Sequence, residues 1–452
     1  MTFGKNLKEY LEVPLSDWSI QDLETWDDKI IEIAKKYQLD WFPINYEICD
    51  YYDMIGSMVY HGMPSHYGHW SYGKSFERTH LNYNFGMTGL PYELIINSNP
   101  SIAYLMKENP LYLQILIMAH CIGHSDFFKN SRIFSKTRPE DVVTRFRSAK
   151  KRVQKYSEDP SIGLEAVEKT LDALRAIQYQ TSRYGLPQIS HKEKKQRLIE
   201  KINSCEKQEE KIILKEKLSR VPTEVENDLL WVMLEFGHHL EEWKKDLINI
   251  VREESLYFIP QIKTKILNEG WASFWHYKIM HELDLPQEYH IPFLKSHNQV
   301  IRPHVGAINP YHLGFYLFEK VEKNSGLDEC FLIREIHDDA SALRFLLEKE
   351  DCQELNLFSY SKKRKGTSID DVSDDIGWGN IKKDLIRSTG INGIPVIGVD
   401  EIMQNNTLIL LHDHDGRDLE LNYAEEVVDH IRYLWNDDVK LFTIIEEETW
   451  EI

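Results

Sequence analysis

The stretch LYLQILIMAHCIGHSDFFKN, residues 111–130, decides the fold of this chain. Its first nine residues are nearly all apolar, on every side of a helix, before the sequence reaches His120. A helix that is apolar all round lies inside a protein, so the stretch predicts a buried helix. The apolar run 111–119 is far shorter than the roughly 20 residues that a membrane span needs. The sequence therefore predicts a core built around this helix.

Two histidines on this helix, His120 and His124, lie one turn apart on the same face. Two imidazoles so placed can both reach one divalent metal ion at about 2 Å. Either they bind such an ion, or they are two buried histidines satisfied by hydrogen bonds. Burial of imidazoles on so apolar a helix is costly unless they share a partner, which raises the weight of the metal hypothesis.

A second pattern, NEGWA at 268–272, offers the carboxylate that such a site needs. In zinc peptidases of the gluzincin type, a glutamate from a later helix joins two histidines of one helix, and Glu269 resembles that ligand. The small residues at 270 and 272 would let the two helices pack closely. His276 follows seven residues later on the same face, as a fourth ligand or a residue that supports the ligands. The alternative is a helix–helix contact with an internally paired glutamate.

One position departs from the peptidase pattern. In His-Glu-x-x-His enzymes the glutamate after the first histidine is the general base, and here that position is Cys121. A thiol is a poor base at neutral pH unless its pKa is lowered. Either another carboxylate is the catalytic base, with Asp126, Glu242 and Glu253 as the candidates, or the site is not a hydrolase.

The stretch 41–78 is dense in aromatic residues and histidines and also contains glycine and proline, so we expect strand and loop there. Within it, His66 and His69 are predicted to bind a cofactor, either by orienting a ligand or by joining a second metal site. The alternative is an aromatic-rich structural loop. His238 and His239 point about 100° apart on a helix and are expected to be structural.

Composition and charge restrict the function classes. The net charge of −19 disfavours nucleic acids and anionic membrane surfaces, because affinity for both depends on Lys and Arg. The five cysteines are widely spaced and contain no Cys-x-x-Cys, which fits a reducing compartment. The N-terminus carries no charged-then-apolar signal pattern. We therefore expect a cytoplasmic protein.

The pattern along the chain predicts an α+β fold with two domains. Residues 1–350 are expected to form a mainly helical, zincin-like core, with a charged insertion at 190–220 that is a helical hairpin or a mobile segment. A helix is predicted to start at 99–101. Residues 354–452 are expected to form a small α/β domain of order β-α-β-β-(β)-α-β, ferredoxin-like, with a hairpin turn at Asp415-Gly416.

Several long motifs together resemble the stage V sporulation protein R family, over about residues 5–450. They are MVYHGMPSHYGHWSYGKSFER (58–78), YELIINSNPSIAYLM (92–106), AHCIGHSDFFKN (119–130), the stretch 240–280 and REIHDDASALRFLL (334–347). The family patterns coincide with six residues already singled out: His66, His69, His120, His124, Glu269 and His276.

The resemblance implies a bacterial cytoplasmic protein that in spore formers acts in the mother cell to make the spore cortex, a modified peptidoglycan. In other bacteria it implies a role in stress responses, with a PrkA-type serine kinase and a von Willebrand A-type protein as partners. The leading hypothesis is a cortex factor with a metal-hydrolase-like site, expected to hold zinc and to act on a peptide or amide bond. The alternative is a non-catalytic regulator with a structural metal and a partner-binding C-terminal domain.

Overall fold

A computed structural model describes the backbone of residues 18–84, 93–184, 188–304, 308–363 and 366–452. These residues are mainly helical and add several short strands, as the α+β prediction requires. The helices are α1 (Ile20–Lys36), α2 (Tyr51–Val59), α3 (Trp70–Asn84), α4 (Leu111–Asn130), α5 (Val142–Glu158), α6 (Leu164–Ala176), α7 (His191–Ser204), α8 (Gln208–Ser219), α9 (Leu229–Phe236), α10 (Glu242–Lys263), α11 (Lys265–Glu282), α12 (Gln287–Val300), α13 (Pro310–Ser325), α14 (Leu327–Ile336), α15 (Asp339–Leu346), α16 (Lys349–Glu354), α17 (Trp378–Ser388) and α18 (Leu421–Trp435). The strands are β1 (Ile44–Cys49), β2 (Leu94–Ile96), β3 (Ser101–Met106), β4 (Phe358–Lys363), β5 (Gly366–Val372), β6 (Ile397–Ile402), β7 (Leu408–His412), β8 (Val439–Ile445) and β9 (Glu448–Glu451).

The chain folds into two compact units. The first contains the described residues up to 150 together with 260–392, and the second contains 151–259 together with 393–452. The division expected at 354 therefore differs from the observed one, since 354–392 packs within the first unit. Each unit combines segments that are distant in sequence, which local patterns do not reveal.

The helix α4 lies at the centre of the first unit, as its apolar sequence predicts. All of its residues from Leu113 to Phe128 are buried. It packs against α11, whose Trp271 and Trp275 are completely buried, and both helices contribute to one hydrophobic core. Burial of a large side chain stabilises a fold by about 1.5–3 kcal/mol, so these two helices are a major source of stability.

Glycine allows the central helices of this unit to approach closely. A Cβ on Gly123 of α4 would lie 2.7 Å from the Cα of Ala272 on α11. A Cβ on Gly270 of α11 would lie 2.3 Å from the carbonyl carbon of Gly314 on α13. The small residues at 270 and 272 thus do permit close packing, and they do so against two different helices.

A three-stranded sheet of order β1-β3-β2 completes this part of the first unit. The predicted helix start at 99–101 is wrong, because Ser101–Met106 is a strand that pairs in parallel with β1 and antiparallel with β2. Its residues are mostly buried between two neighbouring strands, so pairing with a segment 57 residues earlier outweighs the helix-start signal.

The second unit contains a four-stranded sheet of order β6-β7-β8-β9. The predicted hairpin at Asp415-Gly416 is wrong, because β7 ends at His412 and the chain continues to α18. Since β7 and β8 are parallel, they need a crossover helix rather than a tight turn. The hairpin turn lies instead between β6 and β7, where Asn406 has a φ of 68°.

The charged segment 190–220 forms a helical hairpin of α7 and α8, one of the two forms expected for it. No residue of either helix is buried. Among the described residues, no helix is both long enough and apolar enough to cross a membrane.

Candidate metal centre

Four side chains of the first unit converge on one small volume. They are Glu93, which immediately precedes β2, His120 and His124 on α4, and Glu269 on α11. One potential ligand atom from each lies within 4.8 Å of all the others. His120 Nε2 is 3.6 Å from Glu93 Oε1 and 3.9 Å from Glu269 Oε2, and His124 Nε2 is 3.4 Å from Glu269 Oε2. His124 and Glu269, which are 145 residues apart in sequence, therefore face a common point.

The two helices are fixed by contacts next to these residues. The buried carboxylate of Asp339 accepts hydrogen bonds from the backbone N–H groups of Ile266 and Leu267, at 2.8 and 2.9 Å, and so caps the first turn of α11. Asp126 of α4 accepts a hydrogen bond of 2.8 Å from Trp271 Nε1 of α11. This bond joins α4 and α11 at positions two residues after His124 on one helix and two residues after Glu269 on the other.

A hydrogen bond at Nδ1 of His124 directs its Nε2 towards the cluster. Its Nδ1 lies 2.9 Å from the side-chain oxygen of Asn268. An amide oxygen can only accept, so Nδ1 carries the hydrogen and the lone pair is on Nε2, towards Glu269. Histidine ligands of metals are commonly oriented by such a bond on the other ring nitrogen.

Two buried atoms at this point make no hydrogen bond, and both would be satisfied by a cation. They are His120 Nε2 and Glu269 Oε2. An unpaired buried polar atom costs about 1–3 kcal/mol, and more when it is charged. Two imidazoles and two carboxylates match the nitrogen and oxygen ligands that divalent transition metals take. The residues present therefore fit a divalent ion.

The charges of the cluster are strongly coupled. Burial opposes ionisation of Glu269, but His120 and His124 more than compensate, so its pKa lies well below the ordinary value. Burial opposes protonation of His124, but Glu269 more than compensates, and its pKa is raised. Each group therefore favours the charged form of the other.

Glu93 and Tyr311 complete the cluster, and we did not predict either as a site residue. The Tyr311 hydroxyl donates a hydrogen bond of 3.1 Å to Glu93 Oε1. Burial and the two nearby glutamates raise the pKa of Tyr311 well above its ordinary value, so it remains a donor. The one available signal was a charged residue at the edge of the apolar strand segment YELIIN (92–97).

His276 is adjacent to the cluster but does not face it with a free nitrogen. Its Nδ1 lies 2.8 Å from His120 Nδ1, and its Nε2 lies 2.8 Å from His297 Nδ1. Of its two expected roles, fourth ligand or support for a ligand, this geometry favours support. Glu93, rather than His276, is the fourth residue whose side chain lies at the common point.

Helix α4 carries one candidate base, Asp126, and also Cys121, which occupies the base position of the peptidase pattern. Asp126 is completely buried, and besides Trp271 it accepts a hydrogen bond of 2.9 Å from the backbone of Asp40 and pairs with Arg334. Burial raises its pKa to about 6, against the opposing effect of Arg334. Burial raises the pKa of Cys121 well above its ordinary value, so this thiol is neutral. Neither residue belongs to the cluster.

The other two candidate bases, Glu242 and Glu253, belong to the second unit. The Glu242 side chain is 89% exposed and pairs with Lys245. His239, which is expected to be structural, lies in the second unit too, and its Nε2 hydrogen-bonds to the backbone oxygen of Trp435. None of these three residues is among the four that converge.

His66 and His69 lie in the connection between α2 and α3, among tyrosines. His66 Nε2 is 3.2 Å from the hydroxyl of Tyr72, its Nδ1 is 3.3 Å from the backbone oxygen of Tyr67, and its ring stacks on Tyr60. His69 Nδ1 is 2.8 Å from the hydroxyl of Ser71. Neither histidine is in the four-residue cluster, and the contacts fit the structural alternative. Helices α2 and α3 also replace much of the strand and loop expected at 41–78.

The fold and the cluster define a mainly helical α+β protein with a buried two-histidine, two-glutamate centre. The family described as SpoVR like protein matches residues 17–394, and the SpoVR-like C-terminal domain matches residues 393–446. The chain belongs to the SpoVR family. It is 32% identical over 476 aligned positions to a protein of Escherichia coli (strain K12) named Uncharacterized protein YcgB, covering 94% of this chain and 92% of the relative. No solved structure matches the chain.

Proposed function

We propose that this chain is a sporulation protein acting in formation of the spore cortex peptidoglycan, with a zincin-like centre that hydrolyses a peptide or amide bond. The ligands of a divalent ion, zinc in this proposal, are His120, His124 and Glu269. The observation that carries the proposal is the pair of buried, unpaired atoms, His120 Nε2 and Glu269 Oε2, facing each other across the cluster.

A bound divalent ion would polarise the carbonyl of the substrate and acidify the attacking water. Glu93 is the carboxylate that supplies the base missing at Cys121. Its carboxylate oxygen lies 3.6 Å from His120 Nε2, and this proximity supports the role, since a general base must lie within direct or one-water reach of its proton. Glu93 accepts a proton from the attacking water and returns it to the leaving amine. The Tyr311 hydroxyl orients the Glu93 carboxylate.

Family membership supports the biological setting. The family carries the name of a sporulation protein, and the match covers nearly the whole chain. A cytoplasmic location in the mother cell, and contact with a PrkA-type kinase and a von Willebrand A-type protein, belong to the same proposal. Pull-down of each candidate partner by the purified chain tests the contacts.

A second candidate function is a regulator whose metal is structural. The enclosure of the cluster favours it, since the side chains of His120 and His124 are only 2% and 4% exposed.

The carboxylates of the cluster are slightly more exposed to solvent, with the Glu93 side chain 10% and the Glu269 side chain 17% exposed. Substrate access would therefore be from the carboxylate side.

Glu93→Gln separates the two functions. The zinc-loaded protein is incubated with peptidoglycan fragments that contain peptide stems, and released products are identified by mass spectrometry. If the chain is a hydrolase, Glu93→Gln retains the metal but lowers turnover by about 10²–10⁴-fold, the usual contribution of a general base. Glu47→Gln, which alters a carboxylate of β1 outside the cluster, is the matched control and should leave turnover unchanged.

Spore counts in a spore-forming host that lacks its own family member complete the test. Loss of heat-resistant spores with both His120→Ala and Glu93→Gln supports a hydrolase. Loss with His120→Ala alone favours the regulator with a structural metal. Normal spores with both variants contradict a role of the centre in sporulation.

A further inference from the structure

Three histidines from three different helices form a continuous hydrogen-bonded chain behind the cluster. His120 of α4 bonds through Nδ1 to Nδ1 of His276 on α11, at 2.8 Å. His276 bonds through Nε2 to Nδ1 of His297 on α12, also at 2.8 Å. All three residues are buried, and the aromatic rings of Tyr277, Phe293 and Phe315 surround His297.

A neutral imidazole has one N–H donor and one acceptor nitrogen, so the tautomers of the three rings depend on one another. If the hydrogen of His120 is on Nδ1, it is donated to His276 Nδ1. The hydrogen of His276 is then on Nε2 and is donated to His297 Nδ1. If the hydrogen of His120 is instead on Nε2, every donor and acceptor along the chain is reversed. The chain therefore has two arrangements, and only the first gives His120 a free Nε2 lone pair.

We infer that His276 and His297 are positioning residues that hold His120 in the tautomer that binds the metal. This inference rests on the metal centre proposed above. The two histidine ligands are thus fixed in different ways. Asn268 fixes His124 in a single step, because an amide oxygen can only accept. His120 is fixed through two further imidazoles, and His297 is the last ring of that chain.

The test compares substitutions that keep or remove one acceptor. His276→Asn retains a side-chain oxygen that can accept from His120 Nδ1, whereas His276→Phe keeps a planar ring and removes the acceptor. Zinc affinity is measured by competition with a chelator. We expect His276→Phe to weaken zinc binding about 10–100-fold, the usual cost of losing an outer-shell partner, and His276→Asn to restore most of it. His297→Phe should have a smaller effect, and His297→Asn should remove that effect.

His281→Phe is the matched control, because His281 lies on the same helix but is exposed and bonds to the backbone oxygen of Tyr277. It should leave zinc affinity unchanged. Thermal unfolding of each metal-free variant gives the cost in stability separately. The ¹⁵N shifts of the ring nitrogens report the tautomer, and the zinc-loaded wild type should show His120 and His276 each in one form.

The outcomes are distinct. If the wild type binds zinc, His120→Ala does not, and His276→Phe binds as tightly as the wild type, the positioning role is overturned while the centre stands. Equal losses in His276→Asn and His276→Phe would mean that packing rather than hydrogen bonding matters, and would also overturn it. A wild type that binds no divalent metal overturns both the centre and the positioning role.

Discussion

The first unit contains two groups of buried histidines with different surroundings. In the connection between α2 and α3, both ring nitrogens of His66 have protein partners, a hydroxyl and a backbone oxygen. Between α4 and α11, His120 Nε2 has none and lies close to two carboxylates. Burial of a histidine therefore does not identify a ligand. A buried nitrogen left unpaired beside converging carboxylates is the feature on which the proposed metal centre depends.

The largest expected effect is the loss of the metal from the second group. His120→Ala removes one of three proposed protein ligands, so we expect zinc affinity to fall more than about 100-fold, beyond the 10–100-fold cost of losing an outer-shell partner. His66→Ala should cost stability through lost ring contacts but leave metal per chain unchanged. Metal analysis by mass spectrometry checks both variants. Equal metal content in His120→Ala and His66→Ala would contradict the assignment of metal binding to the second group of histidines.

Asp126 is a buried carboxylate that already has protein partners, in contrast to Glu269 of the cluster. Asp126→Ala leaves Arg334 buried without its partner and removes the bond to Trp271, so we expect about 3–5 kcal/mol of lost stability. Glu242→Ala, at an exposed ion pair, should change stability by no more than about 0.5 kcal/mol. Denaturant unfolding measures both. A small effect at Asp126 would mean that it is not structural and would reopen its candidacy as a base.

The helix contacts that bring the ligands together can be altered without touching a ligand. Gly270→Ala places a Cβ 2.3 Å from the backbone of Gly314, and overpacking of this kind costs about 1–3 kcal/mol. Gly73→Ala on α3 meets no atom within 4 Å and should be neutral or stabilise by about 0.5–1 kcal/mol. Denaturant unfolding compares the two. Equal stabilities would contradict the close packing of α11 and α13.

The smallest effect is on the pH dependence of the metal-free protein. The lowered pKa of Glu269 gives stability that is present above its ordinary pKa of 4.5 and is lost as the pH falls through the lowered value. The raised pKa of His124 gives stability that is fully present below its ordinary pKa of 6.5 and is lost as the pH rises through the raised value. The pair should therefore stabilise the protein most between pH 4.5 and 6.5.

Glu269→Gln removes the charge and should flatten this part of the stability profile, as measured by thermal unfolding across pH without metal. An unchanged profile would show that the two groups are not coupled. Zinc competes with the proton on His124, so zinc affinity of the wild type should fall as the pH is lowered through the raised pKa.

The sequence predicts those parts of the molecule that depend on local pattern. The burial of α4 follows from its apolar residues, and the shared face of His120 and His124 follows from helical spacing. Glu93 was missed because only the placement of its segment beside β3 brings it to the helices. The strand at 101–106 was missed for the same reason, since its partner β1 is distant in sequence. The boundary at 392 depends on contacts between distant segments, which no local signal carries.

The central claim is that His120, His124 and Glu269 bind one divalent ion. Anomalous X-ray diffraction at the zinc edge, from crystals of the zinc-loaded protein, tests it most directly. The account predicts one strong peak about 2 Å from His120 Nε2, His124 Nε2 and a carboxylate oxygen of Glu269. A fully loaded crystal with its peak elsewhere, or with no peak among these three side chains, would contradict it.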